Sequence, residues 1–321
     1  MTPPVTTPGN TSAQPTHPRL HALVDRARAA AATKAQSVAV VYPCDALALQ
    51  AVVGMAREGI ARPVLVGPAA DIRRAADTAQ VGISGFELID AGPSAADAAQ
   101  QAVALARGGV VAALMKGSLH TDELMSAVVR REGGLRGPRR ISHAFVFDLP
   151  RYHKLLALAD CVVNIAPDLK TKRDILGNAL DLLRTLGVSR PKAGIVAAVE
   201  SVNLAIPATL DAQALVEAHL QGEWPQALVE GPFGFDNAIS AEAARIKKIT
   251  SEVAGDPDLL LMPDLNAGNM LYKSFVYIGG GECAGLVLGA QVPVVLTSRA
   301  DSPLARIASV ALAVLAAQPS N

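Results

Sequence analysis

A short polar segment near the C-terminus holds the residue types best suited to chemistry. Ser298, Arg299 and Asp301 come directly after the apolar residues 293–296. The first backbone N–H groups of a helix are unpaired and attract anions, and a guanidinium grips phosphate or carboxylate with two hydrogen bonds. These residues therefore predict a binding site for an anionic substrate. The alternative is an ordinary helix cap with a solvent-facing Arg–Asp pair.

Two further turns carry polar side chains of the same kind. Lys116, Gly117 and Ser118 follow another apolar run, and Asn269 and Lys273 are spaced by one helical turn. A lysine beside small residues suits an anionic ligand, and an amide both donates and accepts hydrogen bonds. The lysine does not belong to a P-loop, because the glycines of that motif do not precede it at the required spacing. Taken alone, the turn at Asn269 is more often a plain strand-to-helix connection than a binding site.

An arginine-rich loop and the cysteines are the other candidate reactive groups. Arg140 is the last of five arginines between residues 130 and 140. Such a cluster either holds the phosphates of a ligand or is a solvated loop. The three cysteines are far apart. No group of His, Cys, Asp or Glu has the spacing of metal ligands, so no metal site is predicted.

Composition and charge argue against several classes of protein. The chain has 321 residues, half of them hydrophobic, with 29 acidic and 29 basic side chains. A large core is expected, and a nucleic-acid partner is not, because that binding needs an excess of positive charge. No apolar run reaches the roughly 18 residues of a membrane span. The N-terminus has neither the basic start nor the apolar core of a secretory signal, so we predict a cytoplasmic protein without a membrane partner.

Segments with strand and helix character alternate along most of the chain. Apolar runs are followed by Ala-rich segments, as at 37–42 and 46–57. This alternation is typical of β-α-β units, so we predict an α/β fold with doubly wound, mostly parallel sheets. The runs at 259–262, 285–288 and 292–297 are predicted to be parallel strands whose polar carboxyl ends line one cleft.

The Gly-, Pro- and Arg-rich segment 133–140 interrupts the alternation and predicts either a domain boundary or a mobile loop. We expect three parts, which are a disordered tail at 1–18, a first α/β domain at 19–141 plus 299–321, and an inserted second α/β domain at 142–298. In the second domain, residues 161–165 are predicted to form a strand, and Asp211 is predicted to cap the helix that follows it.

Five motifs, each rich in turn residues, connect this sequence to one family. In chain order they are MKGSLHTDELM, CVVNIAPDL, VEGPFGFDNAIS, PDLNAGNMLYKS and VPVVLTSRADS. With them, about residues 46–315 resemble the phosphate acetyltransferase and phosphate butyryltransferase family. The sequence is most similar to the butyryltransferase-like branch and to the transferase part of bifunctional enoyl-CoA hydratase/phosphate acetyltransferase proteins.

The resemblance implies a fold, a reaction and partners. The fold would have two domains like those of isocitrate and isopropylmalate dehydrogenases, with the active site in the interdomain cleft. The reaction would transfer a short acyl group (acetyl, propionyl or butyryl) reversibly between coenzyme A and inorganic phosphate, through attack of a thiolate on acyl phosphate. Acyl-CoA, phosphate and acyl phosphate would bind as substrates without a permanently bound cofactor. The family also implies a homodimer that forms through the second domain.

The family's motifs assign roles to single residues. Ser298 and Arg299 match its reaction centre. An ungapped alignment places Ala305 where the acetyltransferase branch has an aspartate proposed to deprotonate the thiol, and Asp301 is the nearest acid. Asn266 replaces a second acid of the family. The predicted catalytic residues are Ser298, Arg299 and Asp301, and the predicted substrate-binding residues are Lys116, Gly117, Ser118, Asn269, Lys273 and Arg140.

Two other functions remain open on these residues. A non-catalytic protein that binds coenzyme A or acyl phosphate would explain why Ala305 and Asn266 replace acids. An NAD-dependent dehydrogenase would explain the doubly wound alternation, but it predicts clustered aspartates and a glycine-rich cofactor loop. The sequence shows neither of these two features.

Overall fold

The first half of the chain alternates between helices and strands. The computed structural model describes residues 16–298 and 300–318. The helices of this half are α1 (Pro18–Thr33), α2 (Ala46–Arg57), α3 (Ala69–Ala79), α4 (Ala95–Arg107) and α5 (Thr121–Val128). Its strands are β1 (Ser37–Val41), β2 (Arg62–Gly67), β3 (Glu87–Asp90) and β4 (Ala113–Lys116).

The second half contains more strands and ends with a long helix. Its strands are β5 (Ser142–Asp148), β6 (Leu156–Ala159), β7 (Lys192–Val196), β8 (Leu228–Phe233), β9 (Leu259–Leu261), β10 (Glu282–Leu288) and β11 (Val294–Val295). Its helices are α6 (Leu169–Thr185), α7 (Pro207–Leu220), α8 (Phe235–Ile239), α9 (Ala241–Ile246), α10 (Leu265–Tyr277) and α11 (Pro303–Ala316). The predicted α/β class is confirmed.

Side-chain caps determine where several helices begin. The carboxylate of Asp45 accepts a hydrogen bond from the Ala48 N–H at 2.8 Å, at the start of α2. The hydroxyl of Ser302 accepts one from the Ala305 N–H at 3.0 Å, at the start of α11. Each cap satisfies an N–H group that has no partner inside the helix. Each of these two helices therefore begins directly after its capping side chain.

All eleven strands described in residues 16–298 and 300–318 form one sheet. Their order is β3-β2-β1-β4-β11-β10-β5-β6-β9-β7-β8. Neighbours are parallel except at three places, because β10 is antiparallel to β11 and to β5, and β5 is antiparallel to β6. The strands β1, β2, β3, β4 and β11 consequently point one way, and the strands β6, β7, β8 and β9 point the opposite way.

This reversal corrects one prediction. The three C-terminal runs were expected to be parallel strands that end at one cleft, but β10 is antiparallel to its neighbours. Strands β9 and β11 run in opposite directions, because β9 is parallel to β6 and β11 is parallel to β4. Their carboxyl ends therefore point to opposite sides of the molecule along the strand direction. An apolar run contains no information about which neighbour it will pair with, so strand direction could not be predicted from it.

The two faces of the sheet are packed differently. On one face a single buried cluster extends over both halves, from Val40 on β1 to Ile195 on β7, under α1, α2, α6, α7 and α11. On the other face the core is divided into two clusters. One lies under α4 and α5, and the other lies under α8 and α10. A cleft between the halves is therefore expected on this second face.

Helix α11 is the most apolar helix because it is buried in the shared core. It packs against α1, α2 and β10. Its residues from Ala308 to Leu315 are all buried. In the described part of the chain, no helix has both the length and the apolarity required to cross a membrane.

Two local predictions are wrong. Residues 161–165 form turns instead of a strand, because Asp160 accepts hydrogen bonds from the N–H groups of Val162, Val163 and Asn164 and so bends the chain. Asp211 does not cap a helix, since α7 already begins at Pro207. The Asp211 carboxylate instead forms an ion pair with Lys172 of α6 at 2.6 Å.

Candidate active site

The first part of the candidate site is the turn that follows β11. The Ser298 N–H donates a hydrogen bond to Oδ2 of Asp301 at 2.6 Å, and Oγ of Ser298 accepts one from the Ala300 N–H at 3.2 Å. The Asp301 N–H donates to the Ser298 carbonyl at 3.2 Å. These hydrogen bonds hold the carboxylate of Asp301 next to the backbone N–H of Ser298. Arg299 lies outside the described residues.

The second part is the turn at the end of β4, the strand beside β11. Nζ of Lys116 donates to the carbonyls of Gly117 and Leu119, each at 3.3 Å. Oγ of Ser118 donates to the Tyr42 carbonyl at 2.6 Å and accepts from the Cys44 N–H at 2.8 Å. The serine hydroxyl therefore connects this turn to the loop after β1.

The structure brings these two turns together. Lys116, Gly117, Ser118 and Ser298 line one cavity of about 190 Å³. They are neighbours because Met115 of β4 is in register with Val295 of β11. This pairing joins residues that are about 180 positions apart in the sequence.

Arg306 adds a second cation to this cavity. It lies in the first turns of α11, and its Nη2 donates to the Ser298 carbonyl at 3.2 Å. No motif in the sequence distinguishes this residue. The available signal was a basic side chain one turn after the capping Ser302, which is a common arrangement and does not by itself indicate a ligand.

Asp301 does not line this cavity, and it lines a second and larger one instead. The larger cavity has a volume of about 1060 Å³ and is lined by Glu282, Tyr272 and Ala305 as well. Burial raises the pKa of the Asp301 carboxyl, and the charge of Glu282 raises it further. The Ser298 N–H, Arg306 and Lys116 oppose this rise. A carboxylate with a raised pKa is a better proton acceptor than an exposed one.

Tyr272 is an aromatic residue that lines the same cavity as Asp301 and Cys283 and also packs in an aromatic cluster. Tyr272 of α10 stacks on Phe145 of β5 with ring centroids 4.2 Å apart. Burial raises the pKa of Tyr272 to about 12, and the negative charge of Asp301 is among the smaller causes. The phenol therefore stays protonated at neutral pH and can donate a hydrogen bond.

Three predicted binding residues lie elsewhere. Nδ2 of Asn269 donates to the Cys161 carbonyl at 3.1 Å, and Nε of Arg140 donates to Oδ1 of Asn164 at 3.4 Å. Both residues thus contact the turns that follow β6. Lys273 is exposed on α10, one turn after Asn269 as expected. Their roles in binding remain predictions.

The arrangement around Ser298 suits an anion and a proton transfer. Lys116 and Arg306 supply positive charge, and Asp301 can accept a proton. Cations and N–H groups that are already in place stabilise negative charge that develops during a reaction. Among residues 16–298 and 300–318, no group of three or more His, Cys, Asp or Glu side chains could hold a metal ion.

Comparison with known proteins connects this sequence to one family. Residues 94–314 match the family described as phosphate acetyl/butaryl transferase. The chain is 48% identical to a phosphate acetyltransferase of Rhizobium meliloti, over 91% of this chain and 92% of that protein. It is 37% identical to a phosphate butyryltransferase of Clostridium acetobutylicum, over 88% of this chain and 93% of that protein.

A solved structure agrees with the sequence comparison. The crystal structure of a branched-chain phosphotransacylase from Enterococcus faecalis V583 matches 88% of this chain and 99% of that chain. The match has a TM-score of 0.77 and 29% identity. The predicted dehydrogenase-like α/β fold is confirmed at this level.

Proposed function

This chain belongs to the phosphate acetyl/butaryl transferase family, and from that premise we propose that the turns around Ser298 and Lys116 form its reaction centre. The activity of this family is the reversible transfer of an acyl group between coenzyme A and phosphate. The observation that supports this location is the single cavity lined by both turns and by Arg306.

In the proposed site, cations hold the phosphate group of acyl phosphate. Lys116 and Arg306 line the cavity, and the hydroxyl of Ser298 adds a donor to its wall. Hydrogen bonds to charged partners are stronger than neutral ones, so two cations favour a phosphate over a neutral ligand. The resemblance assigns Arg299 to the same task.

Asp301 is proposed to be the general base. A thiol with a pKa near 8.5 is only a few per cent ionised at neutral pH, so a nearby base assists its attack. The thiol of coenzyme A would give its proton to the Asp301 carboxylate. The raised pKa of this carboxyl, caused first by burial, favours that transfer.

The bonds then change in one balanced sequence. The thiolate attacks the carbonyl carbon of acyl phosphate, a C–S bond forms, and negative charge develops on the carbonyl oxygen. The C–O bond to phosphate breaks, and phosphate leaves with the electron pair and takes the proton from Asp301, which restores the carboxylate. In reverse, hydrogen phosphate gives its proton to Asp301 as its oxygen attacks the thioester, and the departing thiolate takes that proton. Ser298 and the cations stabilise the developing charge.

The remaining predicted residues are proposed to hold coenzyme A in the cleft. Asn269 and Arg140 contact the turns after β6, and Lys273 is exposed on α10. Gly117 and Ser118 shape the wall of the cavity at Lys116. Holding both substrates in one place removes much of the entropic cost of a bimolecular reaction.

Coenzyme A is proposed as a substrate, and acetyl, propionyl and butyryl groups are the candidate acyl groups. Relatives are named for acetyl, butyryl and branched-chain groups, so the names do not select one. A single methylene changes discrimination by only about 1–3 kcal/mol. Chain length must therefore be measured on this protein.

The oligomeric state and the cellular location of the protein are part of the same proposal. We expect a cytoplasmic homodimer that forms through the second domain, at 142–298, with the first domain at 19–141 plus 299–321. Exposed apolar side chains on the second domain support this surface, among them Met270, Tyr277 and Ile278 on or next to α10. Residues 1–15 of the proposed tail lie outside the described residues.

The deciding experiment measures phosphate-dependent release of free thiol from acetyl-, propionyl- and butyryl-CoA. Arg299→Ala should lower turnover by more than about tenfold, because a charge-assisted hydrogen bond contributes more than about 1.4 kcal/mol. Arg73→Ala is the matched control, since Arg73 is exposed on α3. An Arg299→Ala enzyme with near-normal turnover would rule out the phosphate-binding role.

Two other outcomes would replace the proposal. Binding of coenzyme A without any turnover would indicate the non-catalytic binding protein. Tight binding of NAD in a calorimeter would indicate the dehydrogenase.

A further inference from the structure

We propose that Glu282 is a positioning residue that prepares Asp301 to accept the proton of the thiol. This inference rests on the proposed function, because it assigns a partner to the proposed base. The two carboxylates belong to different elements and line the same cavity of about 1060 Å³. They are linked through Ser302, the residue that follows Asp301.

The contacts of Glu282 fix its orientation. Its Oε2 accepts a hydrogen bond from the Ser302 hydroxyl at 2.5 Å, and its Oε1 accepts one from the Cys283 N–H at 3.2 Å. The Ser302 hydroxyl donates only once, and it also accepts from the Ala305 N–H at 3.0 Å. Both oxygens of Glu282 therefore have donors, which fixes the orientation of the carboxylate group.

Groups from several elements act on Asp301. The Ser298 N–H, Arg306 of α11 and Lys116 of β4 stabilise its negative charge, whereas burial and the charge of Glu282 destabilise it. Other titratable side chains line the same cavity, and they are Tyr272, Tyr277, Cys283, His17, His21 and Asp25. Burial keeps Tyr272 and Cys283 protonated at neutral pH, because it raises the pKa of both groups.

Among the carboxylates of this cavity, Glu282 is the one whose negative charge raises the pKa of Asp301. Asp25 lines the same cavity, but it is exposed on α1 and forms an ion pair with Arg28 at 2.5 Å. Ala305 also lines the cavity and carries no charge. When two carboxylates share a site, one keeps its proton more tightly than an isolated group does. Removal of the Glu282 charge should therefore lower the proton affinity of Asp301.

The test is the pH dependence of kcat/KM for the attack of coenzyme A on acetyl phosphate. Glu282→Gln should move the acid limb, which reports the base, to lower pH by about half a unit or more, because a like charge is removed. Glutamine keeps an amide oxygen for Ser302, so the cap of α11 is preserved. Glu282→Asp should restore most of the wild-type profile, and Asp25→Asn should leave it unchanged.

An acid limb that stays in place in Glu282→Gln would overturn the inference while the proposed function stands. If wild-type protein shows no turnover, the proposed function fails instead. In that case the ¹³C-NMR titration of the Asp301 carboxyl, assigned by its loss in Asp301→Asn, tests the pairing without catalysis. A lower pKa in Glu282→Gln supports the pairing, and an unchanged pKa refutes it.

Discussion

At the scale of single residues, Gly117 shows how closely the candidate site is packed against the fold. Its N–H donates to the Val41 carbonyl at 2.9 Å. A Cβ atom at this position would lie 2.7 Å from the Tyr42 carbonyl oxygen and closer still to that of Val41. Backbone atoms cannot turn away as a flexible side chain can, so only glycine fits here.

We predict that Gly117→Ala destabilises the protein and impairs catalysis. The added methyl group must push β4 and the loop after β1 apart, which should cost about 1–3 kcal/mol, as overpacking does. Lys116 and Ser118 would move with the turn, so turnover should fall as well. Urea unfolding and thiol release would measure the two effects. Gly82→Ala is the control, because a Cβ there meets no atom within 4 Å, and equal stability of both variants would contradict the prediction.

The identities of site residues could be read from the sequence only where a motif carries them. Ser298 and Lys116 stand out because small and charged residues follow apolar runs. Glu282 and Arg306 do not stand out, because a single charged side chain at the start of a strand or helix is most often solvated. Only the contacts to Ser302 and to the Ser298 carbonyl distinguish them.

At the scale of elements, one carboxylate connects three strands at their amino-terminal ends. Asp256 precedes β9, and it forms ion pairs with Lys192 of β7 at 2.6 Å and with Lys154, which precedes β6, at 2.9 Å. Burial alone would raise the pKa of Asp256, but hydrogen bonds from Lys192 and Lys154 lower it to about 2. These contacts stabilise the folded state while the carboxylate is ionised.

We predict that this cluster makes the protein less stable in acid. The folded-state pKa lies below the unfolded value near 3.9, so its contribution is complete above about pH 4 and is lost as the pH falls toward 2. The free energy of unfolding in urea should therefore decline less between about pH 5 and pH 3 in Asp256→Asn than in wild type. Asp77→Asn, at an exposed position on α3, should decline like wild type. A wild-type-like decline in Asp256→Asn would contradict the prediction.

At the scale of the whole molecule, the two halves share one sheet and one of its packed faces. Leu286 of β10 is fully buried in the cluster that contains residues of both halves. A core that crosses between the halves couples their stabilities, because neither half can bury that face alone. On the opposite face, the core is divided into two separate clusters.

We predict that the two halves unfold in a single transition and that Leu286→Ala shifts it. Deleting a buried leucine side chain costs about 2–5 kcal/mol. Trp224 is the single tryptophan and lies in the second half, so its fluorescence reports that half, whereas far-ultraviolet circular dichroism reports all helices. Both signals should change at the same urea concentration in wild type and should shift together in Leu286→Ala. Separate transitions would show that the halves are independent.

The α/β class, the alternation of strands and helices and the two polar turns could be predicted from the amino-acid sequence. These depend on interactions within a few residues, such as the Asp45 and Ser302 caps and the alternation of apolar runs with Ala-rich segments. The motifs also determined the family, because five of them occur in one order.

The directions of the strands, and the proximity of the turns after β4 and β11, are apparent only in the tertiary structure. The antiparallel placement of β10, the bend at Asp160 and the pairing of β4 with β11 depend on partners far away in the chain. Lys116 and Ser298 line the same cavity only in the folded chain. In the same way, the hydroxyl of Ser302 donates a hydrogen bond to the carboxylate of Glu282. Local patterns record which residues prefer a strand or a turn, but contacts between distant segments are set by how the whole chain buries its apolar surface.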